Sequence, residues 1–302
     1  MTTAFTDPMF TDESAARQAL ESARWPDGPV CVHCGAIENI VRVEGTKKSH
    51  RPGLLYCNSC KGQFTVTVGT VFERSKIPLT KWWMATFLLC SSKKGISSHQ
   101  IARTLGVTYK TAWFMTHRIR EAMKDGAMGL IGGPGVSVEA DETFMSKSPK
   151  TRKSAEKHAK PDIQVLSLIE RGGKLRSVHL DGKDVRSALT NHFDDRSRLL
   201  TDGSTVYKGQ ADQHESVDHS KFEWTRGDVH TNTLEGFFSI FKRGMVGTYQ
   251  HCKTGHLHRY LAEFDFRYNN RSKLGITDRA RTVNAMKGIE GKRLTYRGPH
   301  ST

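Results

Sequence analysis

Three acidic residues that lie far apart in the chain have the side chains and the local settings of a divalent-metal site. Asp141 and Asp202 each end a segment predicted to be a strand, and Glu235 lies in a segment with helical periodicity. Two divalent ions held by carboxylates can activate an attacking oxygen and neutralise a leaving oxygen in phosphodiester chemistry. The three acids therefore predict a site for Mg²⁺ or Mn²⁺, in which Asp141 contacts both ions, Asp202 one and Glu235 the other.

Each of these acids has a structural alternative. A single aspartate at the end of a strand is more often a turn former than a ligand, so the prediction depends on the combination. Glu139 points to the same side of its strand as Asp141 and is the strongest competing acid. Glu235 could instead complete a capping box in which Asn232 caps the helix. Both interpretations of Asn232 and Glu235 stay open at this point.

The segment HTNTLEGFFSIFKR, residues 230–243, predicts an amphipathic helix. Its apolar side carries Leu234, Phe237, Phe238 and Phe241, and its polar side carries Asn232, Glu235, Ser239 and Lys242. With the apolar side buried on a larger body such as a sheet, Glu235 and Lys242 are held about two turns apart. Lys242 is then a candidate contact for a phosphate or a leaving group. His230 and Asn232, at the helix start, are candidates for orienting a water or the scissile phosphate.

Two CxxC motifs predict a structural zinc site. Its candidate ligands are Cys31, Cys34, Cys57 and Cys60. The spacing lets both thiolates of a motif face one ion, and four thiolates complete a tetrahedron. A redox dithiol or a pair of disulfides does not explain why the motif occurs twice in a small, Lys-rich segment. We expect a zinc ribbon that needs its metal to fold and that is closed by a strand over Gln63–Phe72.

The composition points to a polyanionic partner. Of the 302 residues 36% are hydrophobic, and the formal net charge is +15, from 46 Lys and Arg against 31 Asp and Glu. This charge favours nucleic acid, and no apolar run approaches the roughly 20 residues that span a bilayer. The N-terminal residues lack the basic and apolar regions of a signal peptide. We therefore expect a protein of the reducing cytoplasm.

The segment after the ribbon has the pattern of helices joined by short turns. A helix over Ser97–Leu105, a turn at Gly106 and a longer helix capped by Thr108 are typical of a helix-turn-helix domain. In that arrangement the recognition helix begins with the candidate base contacts Tyr109, Lys110 and Thr111. Arg118 and Arg243 are further candidate DNA contacts. An ordinary helical hairpin is the structural alternative.

The remaining elements predict a mixed sheet with helices. Strands are expected at 136–144, 163–169, 175–180 and 198–201, and helices at 184–193 and 256–271. Three antiparallel strands, a helix and a parallel strand describe the ribonuclease H-like plan, in which Asp141 and Asp202 converge at one edge of the sheet. The aromatic stripe of the last helix is expected in the core rather than stacked on bases.

These patterns describe a multidomain α+β protein. The expected segments are an N-terminal helix and zinc ribbon over 1–74, a helix-turn-helix domain over 75–123, a glycine-rich linker over 124–135, a ribonuclease H-like α/β catalytic domain with C-terminal helices over 136–287, and a basic tail over 288–302. Within the catalytic domain, the stretch from Ser146 to Lys160 is rich in Lys and Arg and is expected to be a basic loop.

Several of these segments together resemble one known family, the IS1595-type transposases of the ISXO2-like group. They are RWPDGPVCVHCG, CNSCKGQFTVTVGTVFE, VEADETF, HTNTLEGFFSIFKRG and HLHRYLAEFDFRYNNR. The resemblance runs from residue 12 to residue 286 in the expected order. It implies a DDE-type recombinase that cleaves DNA at the ends of an insertion sequence and joins the freed 3′ hydroxyl to target DNA. Double-stranded DNA, as terminal inverted repeats and as target, is the implied partner.

Carried onto this sequence, the first two catalytic acids are Asp141 and Asp202, and the third is Asn232 or Glu235. We prefer Glu235, because a carboxylate binds Mg²⁺ better than an amide does and because Lys242 follows it by seven residues. Such recombinases hold two DNA ends, so we expect a homodimer in the working complex. It would act in the bacterial cytoplasm, associated with the nucleoid when bound to DNA.

Two other functions are compatible with the sequence. A DNA-binding regulator would use the ribbon and the helix-turn-helix with an inactive acid site. A structure-selective nuclease would cut DNA without joining the cleaved end. Dependence on divalent ions distinguishes the transposase from the regulator, and strand joining distinguishes it from the nuclease.

Overall fold

The computed structural model describes residues 4–43, 50–126, 128–145, 163–250 and 252–295. The chain divides into two compact units. The first comprises Met1–Ser92, Ile96–Lys124 and Ser272–Thr302, and the second Lys93–Gly95 and Asp125–Arg271. The expected basic loop from Ser146 to Lys160 and the end of the basic tail lie outside the described residues. The architecture is mixed α+β, as predicted.

The first unit begins with a helix and a small sheet that carries the cysteines. Helix α1 (Glu13–Arg24) starts where the Asp12 carboxylate accepts hydrogen bonds from the backbone N–H groups of Ser14 and Ala15. Three short antiparallel strands follow, β1 (Ile40–Arg42), β2 (Leu55–Cys57) and β3 (Gln63–Phe64). The second CxxC motif lies at the turn between β2 and β3, and the first lies in a turn that precedes β1.

The strand expected over Gln63–Phe72 is wrong beyond Phe64. After Phe64 the chain folds into turns, with Gly69 in the left-handed region at φ +71°. Its apolar residues are buried all the same, and the ring centroid of Phe72 lies 4.7 Å from that of Trp82. The alternating pattern here reflects side-chain burial in turns and not a strand.

The rest of the first unit is helical in the described residues. Its helices are α2 (Leu79–Ser91), α3 (Ser98–Leu105), α4 (Tyr109–Met123) and, from the end of the chain, α8 (Asp278–Lys287). Between α3 and α4, Gly106 adopts φ +59°, and the Thr108 hydroxyl accepts a hydrogen bond from the Thr111 N–H at 3.2 Å. The predicted helix, glycine turn and capped second helix are thus present.

The second unit contains one mixed sheet. Its strands are β4 (Ser137–Met145), β5 (Ile163–Glu170), β6 (Leu175–His179), β7 (Arg198–Asp202) and β8 (Gln213–Val217), in the order β6-β5-β4-β7-β8. The first three pair antiparallel, whereas β7 runs parallel to β4 and β8 parallel to β7. The antiparallel strands and the parallel β7 were predicted. Strand β8, QHESV, was not, because it is polar and lacks an apolar run.

Helices cover both faces of this sheet. They are α5 (Val185–His192), α6 (Asn232–Gly244) and α7 (Thr254–Asn269). Helix α5 packs on the face that contains Val138 and Ala140 of β4, and α6 and α7 share a core on the other face. Because side chains alternate along a strand, Glu139 and Asp141 face α6. The sheet therefore presents its acids to the predicted amphipathic helix.

The aromatic stripe of α7 lies in the core, as predicted. Leu257, Tyr260 and Phe264 are buried in the cluster that α7 shares with α6. Arg267 of the same helix is also buried and pairs with Glu263, one turn earlier. A buried guanidinium needs such a partner, which helical spacing supplies.

The C-terminal helix α8 lies in a different unit from the one that the expected domain boundaries gave it. We expected all of 136–287 in one domain, but α8 belongs to the first unit. There the guanidinium of Arg281 donates a hydrogen bond to the carbonyl of Cys90 in α2 at 2.9 Å. Periodicity predicts that a helix has a buried side, but it does not indicate which unit buries that side.

Asp265 connects α7 to β6 and makes stability depend on pH. Its carboxylate accepts hydrogen bonds from the backbone N–H and the hydroxyl of Ser177, both at 2.7 Å, yet burial raises its pKa to about 7. The unfolded pKa is about 3.9, so stability from this group is complete below that pH and is lost as pH rises towards 7.

We expect Asp265→Asn to flatten this pH dependence. Because Asp265 keeps some solvent contact, its raised pKa corresponds to roughly 2 kcal/mol of stability, or about 5 °C in Tm. Thermal unfolding of the wild type and the variant between pH 4 and pH 8 measures this pH dependence. Asp212→Asn, at an exposed aspartate, is the control. Parallel pH profiles for wild type and Asp265→Asn would contradict the assignment.

Candidate active site and zinc centre

The four cysteines predicted as zinc ligands come together. Their Sγ atoms all lie within 4.8 Å of one another, with 3.6 Å between Cys31 and Cys60 and 3.8 Å between Cys34 and Cys57. Four thiolates about 2.3 Å from one tetrahedral ion are separated by about 3.8 Å, so the cluster fits Zn²⁺. Hydrogen bonds from the backbone N–H groups of Cys60 and then Ser59 lower the pKa of Cys57, whereas burial and the neighbouring cysteines raise that of Cys60, so a bound cation is needed to stabilise all four thiolates together.

We expect the purified chain to contain about one zinc ion and the ribbon to lose its fold without it. Cys34→Ser removes an exposed ligand, so it should lower the zinc content without opening an apolar core. Elemental analysis and protection of the ribbon in hydrogen exchange measure this. Cys252→Ser, which changes a thiol in the second unit, is the control and should retain the metal. Full zinc occupancy in Cys34→Ser would contradict the prediction.

Asp141 and Asp202 lie on neighbouring strands at equivalent positions. The parallel pairing of β4 with β7 matches Ser137 with Arg198 and Glu139 with Leu200, and the same offset aligns Asp141 with Asp202. Adjacent strands are about 4.8 Å apart, and side chains at one register level point to the same face. Both carboxylates are half-buried. The structure thus aligns the two predicted acids; Asp202 ends β7 as predicted, whereas Asp141 lies in the middle of β4 and not at its end.

The electrostatics of this pair favour a cation. Burial, and next the negative charge of Asp202, raise the pKa of Asp141 to about 7, with smaller contributions from Glu142 and Glu235. Burial also raises the pKa of Glu142. Like charges held together without a cationic partner are stabilised by a bound divalent ion, and carboxylate oxygens are the ligands that Mg²⁺ prefers. The acids present therefore fit such an ion.

Glu235 lies on the exposed side of α6, close enough to affect the pKa of Asp141. Its Oε1 is 3.4 Å from the Thr231 hydroxyl and 3.9 Å from His219 Nε2. Among the described residues, only the cysteines form a set of three or more metal-binding side chains with all ligand atoms within 4.8 Å. Asp141, Asp202 and Glu235 therefore do not form such a set here, although the charges of Asp202 and Glu235 both raise the pKa of Asp141.

The start of α6 is capped by a residue from the sheet. The fully buried carboxylate of Glu139 accepts hydrogen bonds from the N–H groups of Thr233 and Leu234 at 3.0 and 3.2 Å. It also pairs with Arg171 at 3.2 Å. The alternative of a capping box is wrong: the N-cap is Thr231, and Asn232 is already the first helical residue. Glu139, the strongest competitor of Asp141, therefore positions the helix that carries Glu235.

The other predicted site residues of this segment lie beside the cap or on the exposed side of α6. His230 Nδ1 lies 3.5 Å from Glu139 Oε1, so this imidazole lies beside the cap, although Nδ1 makes no hydrogen bond to a described residue. Asn232 and Lys242 are exposed on the same polar side as Glu235. Arg243 is exposed and donates hydrogen bonds to the Ser239 carbonyl and hydroxyl at 3.0 and 2.6 Å. The amphipathic division of this helix is as the sequence predicts.

Two residues near the acids, Tyr207 and Arg171, could not be identified as part of this site from the sequence. Tyr207 is fully buried; burial, and next the charges of Glu142 and Asp141, raise its pKa well above the ordinary value. Arg171 joins the Glu139 carboxylate to the carbonyl of His230, to which it donates at 3.1 Å. Neither residue lies at a diagnostic spacing, so only the fold identifies them.

The residues predicted to contact bases lie at the start of α4. Tyr109 is exposed and stacks on His99, with ring centroids 4.2 Å apart, and Lys110 is exposed as well. The hydroxyl of Thr111 is 2.9 Å from that of Thr108, within the helix cap. Arg118 is half-buried and donates hydrogen bonds to the carbonyls of Glu73 and Leu294 at 3.4 and 3.3 Å. The first two side chains are the ones most accessible to a ligand.

Two parts of the chain match domains of known transposases. Residues 132–269 match the ISXO2-like transposase domain, and residues 11–63 match the transposase zinc-ribbon domain. A relative from Halobacterium salinarum, described as an uncharacterized protein in transposable element ISH50, is 27% identical over 279 residues, which are 85% of this chain and 91% of the relative. No helix in the described part of the chain combines the length and apolar character needed to cross a bilayer. With a transposase zinc ribbon followed by an ISXO2-like domain, the chain belongs to the IS1595 family of transposases.

Proposed function

We propose that the chain is a DDE-type transposase of an insertion sequence, which cleaves DNA at the element ends and joins the 3′ hydroxyl to target DNA. The observation that carries the proposal is the aligned pair Asp141 and Asp202 on parallel strands, facing the helix that carries Glu235. The match of the second unit to a transposase domain supports it. The strand arrangement supports a ribonuclease H-like catalytic fold.

In this proposal Asp141, Asp202 and Glu235 hold the catalytic Mg²⁺ or Mn²⁺. Bound divalent ions supply an activated oxygen nucleophile and neutralise the leaving oxygen. Glu235 is a better third ligand than Asn232, because its carboxylate already interacts with Asp141 and carries charge. Lys242, exposed two turns beyond Glu235, is proposed to contact a DNA phosphate. His230 is proposed as a positioning residue through Glu139.

The first unit is proposed to bind the element ends. Its zinc ribbon and the pair α3 and α4, as a helix-turn-helix, would contact double-stranded DNA, with Tyr109, Lys110 and Thr111 at base edges. Arg118 and Arg243 are proposed contacts to the DNA backbone. The net charge of +15 supports this partner. Two ends must be held at once, so we propose a homodimer acting on DNA in the cytoplasm.

A strand-transfer assay tests the proposal. A labelled duplex with the end of the element that encodes the chain is incubated with target DNA and the full-length protein, with Mg²⁺ or with Ca²⁺ in its place. We expect cleavage and joined products with Mg²⁺ only. Binding without cleavage would indicate a DNA-binding regulator, and cleavage without joining would indicate a nuclease; either result would overturn the proposal.

A further inference from the structure

An exposed aromatic turn lies beside the acids. We use this name for residues 218–224, between β8 and α6. In it Phe222 is 84% exposed and Trp224 is 57% exposed. Both rings belong to the second unit. Large apolar side chains that face water so close together commonly mark a binding surface.

The turn is held in this conformation by its own hydrogen bonds. The Asp218 carboxylate accepts a hydrogen bond from the Ser220 N–H at 3.0 Å. The backbone carbonyl of Asp218 accepts hydrogen bonds from the N–H groups of Lys221 and Glu223. Phe222 adopts φ +60°, a left-handed conformation that is unfavourable for a residue with a large side chain. A rigid turn that strains an aromatic residue and presents it to solvent is more consistent with a binding role than with packing.

The turn reaches the catalytic helix through His219. The His219 ring lies 4.7 Å from that of Trp224 between centroids, and its Nε2 lies 3.9 Å from Glu235 Oε1. Lys221 and Arg226 are close to the rings in the chain; their side chains are 80% and 56% exposed and pair with Asp218 at 3.3 Å and Glu223 at 3.9 Å. Exposed aromatic faces are the features on which an unpaired base stacks, and exposed cations nearby can attract its phosphate.

We propose that Trp224, assisted by Phe222, stacks on a base that is unpaired next to the bond to be cleaved. This inference rests on the proposed function, since it assigns a role at the same site. Opening the terminal base pairs would move the scissile phosphate away from the duplex and towards the acids. The aromatic turn would stabilise the opened state by holding the displaced base.

Binding measurements with uncleaved DNA test the inference. Full-length protein carrying Asp202→Asn is titrated, by fluorescence anisotropy, with three element-end duplexes: fully paired, with one unpaired base beside the terminus, and with an abasic nucleotide at that position. We expect the unpaired base to bind more tightly than the other two. Trp224→Ala should weaken binding to the unpaired base by roughly 5- to 150-fold, the range for loss of one stacked base, and leave binding to the abasic duplex unchanged.

Two further variants make the result specific. Trp224→Phe keeps an aromatic face and should retain most of the preference, and Val246→Ala, which truncates an exposed apolar residue of the same unit, should retain all of it. Equal affinity of the wild type for the three duplexes would overturn the inference. So would a Trp224→Ala variant that changes only from dimer to monomer, because the turn would then be a subunit contact. Since no strand is cut, this outcome is independent of the strand-transfer assay.

Discussion

Asp141→Asn and Asp202→Asn are each expected to reduce strand cleavage by at least about 10³-fold while DNA binding is retained. The reason is their alignment on β4 and β7, because of which both carboxylates would hold the proposed divalent cation. An amide at either position keeps the shape of the side chain but removes the charge that attracts a divalent ion. Binding should persist, because the proposed DNA contacts of the first unit are unchanged.

Single-turnover nicking of a labelled element end in Mg²⁺ measures this effect, with anisotropy as the binding readout. Asp195→Asn is a matched control: it changes an exposed aspartate before β7, whereas Asp202 ends the same strand. The control should cut at the wild-type rate. Unaltered nicking in Asp141→Asn or Asp202→Asn would show that the aligned pair has no catalytic role.

The same assay identifies the third acid. Glu235→Gln should be as defective as the aspartate variants, whereas Asn232→Ala should lose far less activity, because the Asn232 amide carries no charge. The reverse order of defects would assign the third ligand to Asn232. Lys242→Ala should lower cleavage to a lesser extent, since a phosphate contact is not a metal ligand.

Glu139→Ala is expected to destabilise the second unit by about 3–5 kcal/mol, the range for breaking a buried ion pair from one side. The substitution leaves the guanidinium of Arg171 without its buried carboxylate partner. It also removes the acceptor for the first N–H groups of α6, those of Thr233 and Leu234. The expected consequence is fraying of the turn that carries Glu235.

Urea unfolding measures the free energy of this change, and hydrogen exchange at residues 232–236 measures the fraying. Glu139→Gln keeps a hydrogen-bond acceptor and should lose less stability than Glu139→Ala. Glu215→Ala, which removes a partly exposed carboxylate that pairs with Arg198, is the control and should cost about 1 kcal/mol or less. A loss for Glu139→Ala as small as that of the control would contradict the proposed cap.

The sequence predicted the parts of this fold in which one local pattern has one structural solution. The segment 230–243 has its apolar side chains buried and its polar ones exposed as periodicity requires, and the paired CxxC motifs form one cluster. Asp202 ends β7 as predicted, and the register offset aligns it with Asp141, although Asp141 lies in the middle of β4 and not at its end. For the helix and the CxxC motifs, the residues that decide the outcome are neighbours in the chain or are constrained by ligand spacing.

The errors arose where partners are distant in the chain. The alternative cap of α6 was sought in Asn232, but the capping carboxylate is that of Glu139, almost a hundred residues earlier. Strand β8 is polar and becomes a strand only because β7 offers it an edge. The alternation of Gln63–Phe72 reflects burial in turns. A local pattern records that a group is buried or paired, but not which remote element does it.

Because α8 follows the second unit in the chain but belongs to the first, the order of synthesis differs from the order of the units. Arg281 of α8 donates a hydrogen bond to the carbonyl of Cys90. Ala285 and Met286 of the same helix are almost fully buried in that unit. On the ribosome, therefore, the unit proposed to bind DNA cannot complete its core until α8 emerges, after the acid-bearing sheet has been made. A gene copy shortened at its 3′ end would encode an unfinished first unit even with every acid and cysteine intact.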